Sequence, residues 1–111
     1  MIEKIYRIDV SVIKDRKTIS QISEYYDNID ECIDVANKIT KEVTEAYKKK
    51  YSLEIVDLDQ AEYKSAHTFA TKWIYPFKIH KEYVKIDLVE MVSCSSHTEN
   101  IKAIVRNISE G

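Results

Sequence analysis

The chain has a single glycine, and it is the last residue, Gly111. Motifs that need glycine to bring backbone close to a phosphate are therefore missing: there is no P-loop and no dinucleotide-binding fingerprint. Proline is equally scarce, with Pro76 alone. The two cysteines, Cys32 and Cys94, stand far apart and make no disulfide framework. No apolar run nears the ~20 residues of a membrane-spanning helix. The opening stretch, MIEKIYRIDVSVIKDRKT, alternates and carries acids, unlike a secretion signal. These absences point to a cytoplasmic protein with reduced thiols. Arginine is sparse as well, at Arg7, Arg16 and Arg106, against abundant lysine and isoleucine. That bias suggests a low-GC source, a bacterium or its phage.

What is present is enough for a core. The 111 residues are 44% hydrophobic and carry a net charge of −2. That length suits one domain, 1–111, burying about two thirds of its unfolded surface. The near-neutral balance makes no general demand for nucleic acid or an anionic membrane.

Periodicity supplies the elements. In YRIDVSV, Tyr6, Ile8, Val10 and Val12 share one parity, which is the signature of a half-buried strand. KDRK turns the chain, and TISQISEYY returns as a second strand. Ile19 and Ile22 have opposite parity there, so a bulge or an edge position is expected. A helix over about 28–50 follows, with Ile29, Ile33, Ala36, Ile39, Val43, Ala46 and Tyr47 at helical spacing. Asp27 or Asn28 caps it. Acids in the first turn and Lys48, Lys49 and Lys50 in the last match the helix dipole. Cys32 flanks the apolar stripe and suits a small core residue better than a reactive thiol.

SLEIVDL is a short strand. The next stretch, DLDQAEYKSAHTFATKWIYPF, fits two periods. Threonine and aromatic content favours strand, and Asp59 with Glu62 favours a capped helix. We expect a short helix or irregular segment near 60–67, then a strand near 69–79 that Pro76 holds at an edge or a bulge. On it Phe69, Trp73, Tyr75 and Phe77 share a parity, with Trp73 inside and Tyr75 or Tyr83 nearer the surface. YVKIDLVEMV is a long last strand. In SSHTENIKAIVRNIS, Ile101, Ile104, Val105 and Ile108 define a C-terminal helix over about 97–109, which Ser96 and Glu99 box. The fold class is therefore α+β, a mostly antiparallel sheet of four or five strands with the long helix packed on one face.

Candidate chemistry is thin. Cys94 and His97 have zinc-like spacing, but no second paired motif completes four ligands. The same pair as a nucleophilic dyad lacks an orienting acid and a glycine-built oxyanion loop. Asp57, Asp59 and Glu62 are weak candidate ligands for a divalent ion, and the simpler reading is a capped turn with a solvated acid. The region Tyr63–Lys85 interleaves lysines with aromatics. Such a mix builds single-strand platforms and protein interfaces, and it also arises when aromatics face a core and lysines face water.

By elimination we expect a non-enzymatic binding protein that works through protein–protein contact. A phage or mobile-element accessory protein, such as an inhibitor of a host factor, suits its size and composition. The partner-binding residues would be Tyr63, Lys64, Lys72, Trp73, Tyr75, Lys78 and Tyr83. A homo-oligomer is compatible with this, and no cofactor is expected. The alternatives are a nucleic-acid-binding module using the face 63–85 and a metal-dependent hydrolase using Asp57, Asp59 and Glu62.

Overall fold

The computed structural model describes residues 4–62, 67–92 and 104–109. Its elements run β1 (Lys4–Lys14), β2 (Lys17–Tyr26), α1 (Ile29–Tyr51), β3 (Asp57–Ala61), β4 (Thr68–Tyr75) and β5 (Glu82–Val92). Five strands form one sheet in the order β2-β1-β5-β4-β3, and every neighbouring pair is antiparallel. A short helix covers 104–109, the described part of the expected C-terminal helix. Residues 97–103, with the start of that helix, lie outside the described residues, as do Cys94 and His97. The α+β class is as expected.

The β1–β2 hairpin closes through Asp15 and Arg16, whose φ angles are 52° and 66°. Two consecutive left-handed residues match the right-handed twist of the flanking strands, and glycine usually takes such positions. In this chain an aspartate and an arginine do. β2 then runs along the edge of the sheet, and its register against β1 slips between Val12 and Ile13, where Ile19 is the extra residue. The bulge and the edge position, alternatives for TISQISEYY, are both present. The slip lets β2 follow the curvature of the sheet while interrupting an otherwise open pairing edge.

Asn28 caps α1, its side-chain oxygen accepting from the backbone N–H groups of Asp30 at 2.8 Å and Glu31 at 3.2 Å. The helix ends on Ser52, which is left-handed (φ 54°), with Leu53 N–H closing back on Lys48 at 2.9 Å. A 23-residue helix is about 34 Å long, close to the length of the 11-residue strands β1 and β5, and it runs from the Lys4 end of that ladder to the Glu82 end. It packs on β2, β1, β5 and β4.

The phase of the helix differs from expectation. Cys32 and Ala36 are fully buried, and Val35, Ile39, Val43, Tyr47 and Tyr51 continue their stripe. Ile29 and Ile33 are 39% and 38% exposed, and Ala46 is exposed. The small side chains at 32 and 36 let the helix approach the sheet closely, which turns the larger isoleucines to its margin. Cys32 is a core residue, and burial raises its thiol pKa.

The remaining core against the helix comes from one parity of the sheet. Tyr6, Ile8, Ile74, Val84, Ile86 and Leu88 are buried against α1, with Val10 and Val12 beside them. β3 begins later than expected, at Asp57, so residues 52–56 are irregular and only the end of SLEIVDL is strand. β4 ends at Tyr75 rather than near 79. Pro76 has no N–H to continue the ladder, and the chain turns there, with His80 left-handed (φ 55°). Among the described residues no helix is long and apolar enough to cross a membrane.

Candidate functional site

Side chains alternate along a strand, so the antiparallel registers sort every residue onto one of two faces. The face under α1 is the core. The other face carries Arg7, Asp9, Ser11 and Ile13 from β1, and Tyr83, Lys85, Asp87 and Val89 from β5. Thr71, Trp73 and Tyr75 from β4, Asp57 and Asp59 from β3, and Gln21, Ser23 and Tyr25 from β2 belong to it as well. No described element packs on this open face, although Ile13, Thr71 and Val89 within it are buried.

The aromatic stretch does not lie on one face. A register shift between Thr68 and Ala70 turns Phe69 toward the helix side, where its ring meets Tyr6 edge-on at 6.2 Å. Phe77, beyond the strand, packs on Tyr51 of α1 at 4.7 Å. Trp73 and Tyr75 stay on the open face. Tyr75 stacks on His80 with ring centres 3.8 Å apart and meets Tyr83 at 5.4 Å. Trp73 stands between Lys85 of β5 and Asp59 of β3. Trp73, Tyr75 and Tyr83 are all half-buried, so Trp73 is less enclosed than expected. Burial raises the phenol pKa of Tyr75, and the carboxylate of Asp59 and the ring of Tyr83 add to the effect.

Lysines and aromatics part company in the same way. Lys72 belongs to the helix side, where its Nζ donates to Asn37 Oδ1 of α1 at 2.5 Å. Lys78 is exposed in the turn after β4. Tyr63 and Lys64 lie outside the described residues. Of the expected partner-binding set, the structure brings together Trp73, Tyr75 and Tyr83. Sequence reasoning missed His80, whose position on Tyr75 depends on the turn after Pro76.

The open face is charged as well as aromatic. Asp9 and Asp87 are direct cross-strand partners on β1 and β5. Each carboxylate is held separately. Arg7 Nε lies 2.9 and 3.0 Å from the two oxygens of Asp9, and Ser23 Oγ donates to it at 2.6 Å. Thr71 Oγ1 donates to Asp87 at 2.6 Å, and Lys85 Nζ is 3.6 Å away. These bonds relieve the repulsion that two facing aspartates would otherwise impose.

The three weak metal candidates diverge. Asp57 and Asp59 share the open face, while Glu62 has the opposite parity and lines a cleft on the helix side. Among the described residues no cluster of three or more His, Cys, Asp or Glu side chains has metal-binding geometry. No protein-family model, curated protein or solved structure matches the chain.

Proposed function

We propose that this protein is a binding module whose open sheet face engages another protein. The observation that carries the reading is the placing of Trp73, Tyr75 and Tyr83 on one face that no described element covers, with Tyr75 stacked on His80 and against Tyr83. Tyrosine and tryptophan with partly exposed rings are efficient interface anchors, because they bring much contact area at little entropic cost.

Charge favours a protein over nucleic acid. The face presents four carboxylates, Asp9, Asp57, Asp59 and Asp87, against two cations, Arg7 and Lys85. Lys72, which a nucleic-acid platform would use, is on the other side of the sheet. A phosphate backbone needs lysines and arginines in excess along its track. This face suits a partner segment with apolar side chains and a positive balance. Within the same reading the protein acts in the cytoplasm, as an accessory protein of a phage or mobile element directed at a host factor.

The test uses Trp73, the single tryptophan, as reporter. Affinity capture from the source cell should recover a protein with the unmodified chain and lose it with Trp73→Ala and Tyr83→Ala variants that keep their melting temperature. A single-stranded oligothymidylate should leave Trp73 fluorescence unchanged at physiological salt. Saturable quenching by the oligonucleotide that weakens steeply with salt would overturn the proposal in favour of nucleic acid.

A further inference from the structure

On the helix side of the sheet, a cleft of about 590 Å³ opens between the first half of α1 and strands β3 and β4. Its volume is within the ~300–1,000 Å³ typical of small-molecule sites. The apolar walls come from Ile33 and Ala36 of α1, Phe69 and Ala70 of β4, and Leu88 of β5. The rotated phase of the helix creates this space, because Ile33 stands at the margin, 38% exposed.

Lys72 lines the same cleft. Its Nζ donates a hydrogen bond to a neutral amide, Asn37 Oδ1, at 2.5 Å. Other lysines of the fold pair with acids: Lys4 with Glu90, Lys50 with Glu82 and Lys85 with Asp87. No carboxylate among the described residues forms an ion pair with Lys72. Glu62 also lines the cleft but is exposed. Burial lowers the Lys72 pKa, with no acid acting in the opposite direction. Lys72 is half-buried and its bond to Asn37 is exposed, so the ammonium stands at the cleft where it can meet an incoming anion.

We infer that this cleft binds a small apolar molecule bearing one carboxylate, with Lys72 as its counter-ion. The apolar walls take the body of the ligand. The Lys72 ammonium takes the headgroup, and the amides of Asn37 and Gln60 complete its polar surroundings. Among the described lining residues, one lysine beside an acid suits a single negative charge, whereas a phosphate dianion calls for more cations. The site is on the opposite side of the sheet from the aromatic face and stands independently of it.

Calorimetric titration of the full chain with octanoate, octyltrimethylammonium and octanol tests this. Octanoate should bind saturably, and at least about tenfold more tightly than the cation of the same chain length, as expected for one charge-assisted hydrogen bond. Lys72→Met should weaken octanoate about tenfold and leave octanol unchanged, while Lys72→Arg, which keeps the charge, retains octanoate. Ile33→Trp should block all three by filling the mouth of the cleft. The headgroup comparison on the unmodified protein decides the matter even if Lys72→Met fails to fold. Equal affinity for octanoate and octyltrimethylammonium, or no saturable binding of octanoate, would overturn the inference.

Discussion

Replacing Tyr47 by Phe should stabilise the protein. Tyr47 is on the buried stripe of α1 with 7% of its surface exposed, and its hydroxyl has no hydrogen-bond partner. A buried polar group left unsatisfied costs about 1–3 kcal/mol. Phenylalanine keeps the ring in the core and its stacking on Tyr51, whose ring centre is 6.2 Å away. It also leaves a void the size of one oxygen, so the lower end of that range applies, about 1 kcal/mol. In a domain of this length that raises Tm by about 4 °C. Urea denaturation at pH 7 should show a higher midpoint at an unchanged slope. Alkaline pH adds an independent readout. Burial, followed by the Glu82 carboxylate and Tyr51, pushes the Tyr47 phenol up to about 12, from an ordinary value of about 10. The fold therefore accommodates only the neutral phenol. Its contribution is intact below about pH 10 and is lost as pH climbs toward about 12. Tyr47→Phe removes that loss, so the advantage of the variant should widen between pH 9 and 11. A variant less stable than the parent at pH 7, or a gap that stays constant with pH, would refute the reasoning.

Arg16→Gly and Ser52→Gly, each at a left-handed residue, should stabilise by about 1 kcal/mol apiece in urea melts, because non-glycine residues are disfavoured there. Ile39→Asp puts a charge on the partly buried stripe packed against the core and should cost several kcal/mol, read as loss of the cooperative melt. Mg²⁺, Mn²⁺ and Zn²⁺ should leave Tm unchanged, because Asp57 and Asp59 point away from Glu62; a saturable rise removed by Asp57→Ala would revive the hydrolase reading.

Elements with strong periodicity were legible from the residues alone. The parity of Tyr6, Ile8, Val10 and Val12 named the buried face of β1, and the broken parity of Ile19 and Ile22 named the bulge in β2. The helix was placed within a residue at each end, because capping and dipole signals act locally. Its rotation was not. Periodicity locates an apolar stripe by hydrophobicity, whereas packing selects its centre by size. Cys32 and Ala36 take the closest approach to the sheet, and Ile29 and Ile33, more hydrophobic but larger, are displaced. The end of β4 was misjudged for a similar reason. The aromatic content continued through Phe77, but Pro76 cannot donate to the ladder.

The candidate site shows why a stretch of chain is not a surface. Residues Tyr63–Lys85 are rich in lysine and aromatic side chains, and taken together they resemble a platform for single strands. Alternation divides them. One-residue offsets send Lys72 to the helix side and Trp73 to the open side. The bulge before Ala70 sends Phe69 away from Trp73, although the two share a parity in the sequence. What then surrounds Trp73 and Tyr75 comes from elsewhere in the chain: Asp57 and Asp59 from β3, Lys85 and Asp87 from β5, and Asp9 from β1. These neighbours are mostly acidic. Non-local pairing has therefore turned a basic stretch into part of an acidic face. The cation that was removed, Lys72, lines the cleft on the other side and has no ion pair among the described residues, so the same alternation that weakens the nucleic-acid reading supplies the cation for the proposed carboxylate site.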